Sequence, residues 1–472
     1  MDLYIGLDLG TTGCKALVCD RFGKIHGLAG VEYELIFTRD GVEQDTEVWW
    51  DGAAKTLRES LADLPKENIK AISVSTQGIT GAAIDRNGKS LCNALSWLDQ
   101  RAEKEAGEIA ARVGTEELFR LTGKPLYPYS LAQLIWMQRN RPEIYKNIWK
   151  YMLPLDYLNF RLTGNSVMDY SIASGTMAFD LVNHQMIAAF FEQSGVEESL
   201  FSQIQQWGTV IGRVSPTASE KTGLPVGLPV VLGAQDQRCA ALGAGIAPDI
   251  GTASLGTSSA ICTLISTPVT KTAGEITCCA VDDDYWMLES VIGTSGAALR
   301  WAQKNLFNGI SFYEIDNLAA SSRPGSNGLL FTPDLSANEQ ECGGVLTGIA
   351  LRHTKSDIAR AILEGIAFRM DAHIHEQMSY FGPWREVRLF GGGAVSRVWC
   401  QMISDIVGLP VQVPHTQETA ALGAAIIAAA GSGAYSNVWE AGKEMSGQIA
   451  CTYQPDAKAH EEYCKVRTVK LK

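Results

Sequence analysis

Tyr4-Ile5-Gly6-Leu7-Asp8-Leu9-Gly10-Thr11-Thr12-Gly13-Cys14-Lys15-Ala16-Leu17-Val18 opens the chain with an apolar run broken by one acid, a corner of small residues, and a second apolar run. This pattern predicts a strand, a tight turn and a returning strand. The corner offers backbone N–H groups and the hydroxyls of Thr11 and Thr12, which suit a phosphate. Lys15 adds positive charge, and Asp8, where the first strand ends, is placed to hold a cation. Taken alone, the stretch is equally an ordinary hairpin. Far downstream, Ala253-Ser254-Leu255-Gly256-Thr257-Ser258-Ser259-Ala260-Ile261 repeats Leu-Gly-Thr, small polar residues and a return to apolar sequence, so one chain carries the same device twice.

At 472 residues the chain exceeds one ordinary hydrophobic core, and two large domains or three smaller ones, with a cleft, are expected. A hydrophobic content of 46%, a charged content of 19% and 46 glycines fit a loop-rich α/β enzyme rather than a disordered, fibrous or coiled-coil protein. The net charge of -12 argues against nucleic acid or an anionic membrane as the main partner and favours a small molecule. No basic region precedes the first apolar stretch, so it does not read as a secretory signal. The run from Ala420 to Ala430, interrupted by Gly423, is too short to span a bilayer. Eleven cysteines without metal-like spacing read as reduced thiols in a cytoplasm. His373 and His375 point to different faces of a probable helix and form no metal site.

Along the chain, Phe22-Gly23-Lys24 reads as a second turn and Val31-Glu32-Tyr33-Glu34-Leu35 as a third strand. Thr46 to Leu64 has helical spacing. Ile69 to Ser75 is a buried strand running into Ser75-Thr76-Gln77-Gly78, where Gln77 is either a substrate contact or a turn residue. Gly88-Lys89-Ser90 lacks the leading glycine of a phosphate-binding loop, and Gly243-Ala244-Gly245 meets Pro248 where a dinucleotide fingerprint needs glycine, so both are set aside. In Trp97-Leu98-Asp99-Gln100-Arg101, Asp99 and Arg101 either point into a cleft or open a helix. Val167 to Asp180 reads as a polar loop. Pro229-Val230-Val231 leads through Gly233-Ala234-Gln235 to Asp236-Gln237 at the head of a small-residue helix. There Asp236 is either an N-cap or a carboxylate placed to accept a proton from a substrate hydroxyl. Gly245 to Gly251 reads as a hinge, Gly293 to Trp301 as a glycine corner opening a helix, and Asp357 to Met378 as a long helix. Val387 to Phe390 is a strand running into three glycines, and Thr419 to Ala430 a small-residue helix that must pack closely on something.

Taken together, these segments resemble the FGGY family of carbohydrate kinases, within the actin and hexokinase superfamily. The resemblance covers nearly the whole chain. Its most specific piece is Gly344-Val345-Leu346-Thr347-Gly348-Ile349, a seven-residue spacer, then Asp357-Ile358 and Ala361-Ile362-Leu363-Glu364. It extends to the opening Gly6-x-Asp8-x-Gly10-Thr11-Thr12, the Gly-Ala-Gln-Asp236 corner, Leu255-Gly256-Thr257-Ser258, and Phe390-Gly391-Gly392-Gly393-Ala394 with Ser396, Trp399 and Gln401.

The resemblance implies an α/β fold of two ribonuclease-H-like (actin-like ATPase) domains with a central cleft. Residues 1–245 would carry the sugar site and catalytic base, and 246–472 the ATP site. It implies ATP and Mg²⁺ as cofactors, with Asp8 and Asp236 toward the metal. Gly10, Thr11, Thr12 and Lys15 would face the transferred phosphate, and Gly256, Thr257, Ser258, Gly296, Gly392, Gly393 and Ala394 would line the rest of the ATP site. Asp236 would be the general base, and Gln77, Trp97, Asp99, Asp236 and Gln237 would lie near the substrate. Glycerol kinases place Arg-Glu after the glutamine matching Gln77, and xylulokinases Met-His, whereas here Gly78 and Ile79 follow. Trp97-x-Asp99-x-Arg101 is nonetheless similar to xylulokinase-like members, so a ketopentose is expected, xylulose first and gluconate next. Another polyol, a small carbonyl signal or a non-catalytic sensor are the alternatives. The expected partner is a small-molecule sugar, with no nucleic acid and no membrane, and a homodimer is left open.

Overall fold

The computed structural model describes residues 1–271, 276–335 and 343–470. The chain divides into two compact units, the first made of Met1–Gly243, Ile265–Met287 and Glu418–Gly447, the second of Ala244–Leu264, Leu288–Gln417 and Gln448–Lys472. Among the described residues no helix is long and apolar enough to cross a membrane.

In the first unit, β1 (Leu3–Leu9), β2 (Gly13–Asp20), β3 (Ile25–Glu32), β4 (Ile69–Thr76), β5 (Val210–Arg213) and β6 (Pro229–Gln235) form a sheet in the order β5-β6-β4-β1-β2-β3. The opening stretch is the predicted hairpin, β1 antiparallel to β2. β4 lies parallel to β1 and β6 parallel to β4, while β5 closes the edge antiparallel to β6. β1 reads as a near-continuous apolar run because it is central and covered on both faces. The third strand starts and ends earlier than the sequence pattern predicts. It stops at Glu32 because the Tyr33 N–H turns to the Thr12 carbonyl at 3.0 Å, while its hydroxyl bonds the carbonyls of Gly10 and Gly13.

The helix Thr419–Gly431 packs on this sheet. A Cβ on Gly6 would fall 1.8 Å from the Ala421 carbonyl oxygen, and one on Gly423 would fall 1.9 Å from that of Cys239. Strand and helices therefore meet backbone to backbone, which explains the run of alanines and glycines. The stretch Val167 to Asp180 is not the loop its polar composition predicts. It holds a short strand, Val167–Met168, and a helical turn, Tyr170–Ser174, capped by Asp169, which accepts from the Ser171 and Ile172 N–H groups. Small hydroxyl residues fold inward here because each finds a buried partner.

The second unit has β7 (Ile250–Ser254), β8 (Ser259–Ile265), β9 (Trp286–Ile292), β10 (Glu386–Phe390), β11 (Val411–Pro414) and β12 (Ile449–Tyr453), six consecutive strands of a seven-stranded sheet in the order β9-β8-β7-β10-β11-β12. Its strand directions repeat those of the first unit: β7 with β8 antiparallel, β7 with β10 and β10 with β11 parallel, β11 with β12 antiparallel. The echo of Gly10 at Gly256 is thus a repeat of topology, each corner following the first strand of its sheet.

Two consequences can be measured. Gly6→Ala forces a Cβ into the backbone of the helix Thr419–Gly431 and is expected to cost about 3 kcal/mol. Thermal denaturation reads this, and an unchanged Tm would show that the helix is not seated on β1. The second concerns Asp156, buried in the helix Pro154–Thr163 that supports β6. Burial pushes its carboxyl from 3.8 up to about 7, tempered by the Ser202 hydroxyl. A carboxyl raised in the folded chain binds its proton more tightly there, so stability is full below the unfolded value and falls as pH rises toward 7. Asp156→Asn removes that loss. The variant's stability relative to wild type should therefore grow by roughly 2–4 kcal/mol between pH 4 and pH 8, and a pH-independent difference would refute the assignment.

Candidate active site

The carboxyl ends of three parallel strands coincide. Leu9 of β1 pairs with Thr76 of β4, and Thr76 with Gln235 of β6, so Gly10, Gln77 and Asp236 emerge side by side from one sheet edge. Loops at this edge are where open α/β sheets bind ligands. Asp8 and Lys15 are directly opposed in the hairpin and share a face. The Ser75 hydroxyl donates to Asp8 Oδ1 at 2.7 Å. Burial raises the Asp8 carboxyl to about 6, with the Ser75 bond and the Lys15 charge opposing, so it is mainly ionised at neutral pH. The Lys15 ammonium lies 2.7 Å from Glu418, which precedes the helix Thr419–Gly431. That half-exposed pair is worth about 1 kcal/mol or less, so Lys15 can leave it for a phosphate at small cost.

Asp236 heads the helix Asp236–Ala244. Its Oδ1 accepts from Gln235 Nε2 and, at 2.7 Å, from the Gln237 N–H. The corner is held from behind, where the Gln235 N–H donates to the Ser171 hydroxyl at 2.9 Å and Ser171 donates to Asp169 Oδ2 at 2.6 Å. Asp169 is fully buried and its carboxyl is pushed up to about 6 by that burial.

Gln77 is buried and donates to Gln44 Oε1 at 2.7 Å, and Gln44 donates to the Thr11 carbonyl at 2.7 Å. The Trp97 indole N–H reaches the Thr11 hydroxyl at 2.9 Å. Asp99 does not open a helix, since the next one starts at Glu103. Its oxygens accept from the Val42 and Arg101 N–H groups and from Arg101 Nε and Nη2, at 2.7 to 3.0 Å. Four donors occupy the usual capacity of a carboxylate, so Asp99 braces the loop that presents Trp97. Ile79 has a φ of 67°, and the Thr80 N–H bonds the Gly78 carbonyl at 2.7 Å. A β-branched residue in a γ-turn is strained, and such strain persists where surrounding structure imposes it.

In the second unit the glycine segments converge on Gly256. Gly296 N–H donates to the Gly256 carbonyl at 2.9 Å, and a Cβ on Gly296 would sit 2.4 Å from that oxygen. The Ser295 and Ala297 N–H groups take the Thr257 carbonyl. The Gly393 N–H donates to the Leu255 carbonyl at 2.9 Å, bringing Gly392, Gly393 and Ala394 to the same corner, and a Cβ on Gly392 would meet nothing within 4 Å. Ser258 closes the corner through its carbonyl and the Gly256 N–H. Gln44, Ser75, Ser171 and Asp169 escaped the sequence reading because an isolated buried amide, hydroxyl or acid carries no local pattern. Among the described residues no three His, Cys, Asp or Glu side chains cluster as a metal cage.

A sheet built twice in this order, with a hydroxyl corner after the first strand and glycine turns at the strand ends, defines the actin-like ATPase fold. The model of the FGGY family of carbohydrate kinases matches on both sides, its N-terminal domain over residues 3–243 and its C-terminal domain over 251–432. The chain belongs to the FGGY family of carbohydrate kinases, and ATP is the substrate that such a kinase uses as donor. It is similar to a xylulose kinase of Staphylococcus epidermidis, 30% identical over 98% of this chain and 94% of that protein. It is also similar to a gluconokinase of Bacillus subtilis, 30% identical over 95% and 91%. The fold matches a xylulose kinase of Lactobacillus acidophilus with a TM-score of 0.92 at 23% identity, covering 100% of this chain and 97% of that one. A xylulose kinase of Rhodospirillum rubrum matches at 0.88 and 26% identity, covering 99% and 98%.

Ser171→Ala cuts the link between Asp169 and the Gln235 N–H. It is expected to lower kcat roughly tenfold with little change in KM, because the corner shifts without losing a ligand contact. Steady-state kinetics reads this, and an unchanged kcat would show that the corner is held by its helix alone.

Proposed function

We propose that the chain transfers the γ-phosphoryl group of ATP to a hydroxyl of a ketopentose, xylulose first. Residues 1–245 supply the sugar site and base in this reading, and 246–472 the ATP site. The observation that carries it is the coincidence of strand ends that lines up Gly10, Gln77 and Asp236. Asp236 accepts the proton of the sugar hydroxyl as that oxygen attacks phosphorus in line, and no covalent intermediate forms. Thr11, Thr12 and Lys15 face the transferred phosphate. Gly256, Thr257, Ser258, Gly296, Gly392, Gly393 and Ala394 take the rest of ATP, their missing or small side chains letting backbone approach. Gln77, Trp97 and Gln237 contact the sugar, and Asp99 acts through Trp97.

Asp8 and Asp236 would hold Mg²⁺. An ion that keeps several waters and binds through one or two carboxylates plus phosphates fits isolated acids better than a cage, and it would neutralise charge on the phosphates. Buried free thiols such as Cys14, Cys19 and Cys239 fit a reducing, cytoplasmic setting.

Gluconate is the second reading, favoured by the gluconokinase relative and by Ile79 standing where xylulokinases place histidine. The test is ADP release across pentuloses, hexuloses, polyols and aldonates. Xylulose should give the highest kcat/KM. Asp236→Asn should fold, bind ATP and lose at least about a hundredfold in kcat. Near-normal turnover in that variant would place the base elsewhere, and ligand binding without ADP release from any sugar would favour a sensor.

A further inference from the structure

The residues beside the phosphate hairpin close into a hydrogen-bonded ring whose directions are fixed by its ends. The Trp97 backbone N–H, which can only donate, gives to Thr80 Oγ1 at 3.0 Å, so the Thr80 hydroxyl proton points on to Gln77 Oε1 at 3.4 Å. At the other end the Thr11 carbonyl can only accept, and it takes Gln44 Nε2 at 2.7 Å. This turns Gln44 Oε1 toward Gln77 Nε2, also at 2.7 Å. Trp97 Nε1, again a donor only, completes the ring at Thr11 Oγ1. Neither amide can be reversed without placing donor against donor or acceptor against acceptor. Two consequences follow for groups at the site. Gln77 keeps its carbonyl oxygen on the Thr80 side, with a second lone pair left to accept from a sugar hydroxyl. The Thr11 hydroxyl, already accepting from the indole, is left with its proton to donate to a phosphate oxygen.

We propose that Gln44 is a positioning residue that couples sugar occupancy to the phosphate hairpin. A sugar that engages Gln77 and Trp97 stiffens the ring and holds Thr11 in its donating orientation, so sugar and nucleotide bind cooperatively. This rests on the kinase reading above. Gln44 lies between the residue proposed to meet the sugar and the one proposed to meet the phosphate. It is 2% exposed, and its side-chain amide bonds Gln77 on one side and Thr11 on the other. Coupling between two sites must be carried by contacts that differ with occupancy, and by linkage it is the same in either direction.

The experiment measures, by calorimetry, the affinity of the full chain for a non-hydrolysable ATP analogue with and without the sugar that gives the highest turnover. In wild type that sugar is expected to tighten the analogue at least fivefold, the low end of ordinary coupling. Gln44→Leu should reduce the factor to less than twofold. Gln44→Glu keeps an acceptor for Gln77 but faces the Thr11 carbonyl with a second acceptor. It should lose the coupling and about tenfold in kcat while its affinity for the sugar in the absence of nucleotide stays within about threefold. A merely structural role would lower Tm and the active fraction but leave the coupling factor and sugar KM where they are. If Gln44→Leu does not fold, Gln44→Glu, of nearly the same shape, carries the test. A wild type that turns over sugar while both variants keep its coupling factor overturns this inference alone. A wild type that turns over no sugar overturns the kinase reading, and this inference with it.

Discussion

Parallel strands that end at the same level impose the rest of the first unit. Each strand end releases a loop, and with neighbouring strands about 4.8 Å apart, three loops leaving together must pack as one surface. The register Leu9 with Thr76 with Gln235 is held by the central position of β1 and by the helix Thr419–Gly431 lying against it. A slip of one residue would turn Leu3, Ile5 and Leu7 to the opposite face and send Asp8 inward. The close approach at Gly6 allows no such slip, because only a strand residue without a side chain can face the Ala421 carbonyl. Thus a packing contact on one face of the sheet sets the chemistry at its edge.

Polar groups near that edge are satisfied in a way that aims them. Asp8 gives up part of its hydration and is tuned to about 6, and it keeps its charge at neutral pH through the Ser75 hydroxyl and Lys15. Asp169 pays a similar desolvation and uses its oxygens to fix the Asp236 corner through Ser171. Each buried acid is retained because it has partners, Ser75 and the Lys15 charge for Asp8 and Ser171 with two backbone N–H groups for Asp169, since an unpaired buried charge would be far more costly than a hydrophobic residue of the same size.

The two sheets share the order and directions of five successive strands, yet their corners differ in chemistry. The first places acids, amides and hydroxyls at the strand ends. The second places glycines there, so that Gly296 bonds the Gly256 carbonyl and Gly393 the neighbouring Leu255 carbonyl where side chains would collide. One topology is used once to position reactive groups and once to bring bare backbone to a surface, a division expected if the former serves proton transfer and the latter a nucleotide.

By itself the sequence determined the paired hairpins, the α/β class, the strand running into Asp236 and the glycine turns, because alternation, apolar runs and small-residue corners are local properties that survive in one dimension. It also marked Gln77 by its place after a strand, whereas Trp97 came from the family resemblance alone. It misread Val167 to Asp180 as a loop and left Asp99 between two roles, because small polar residues are inward or outward according to partners far along the chain. Only the tertiary structure decided that Asp99 braces Trp97, that Asp169 stands behind Asp236, and that Gln44 joins Gln77 to Thr11. Hydrogen bonds between residues tens of positions apart have no period and no spacing, so they exist for a reader only once the strands have brought their ends together.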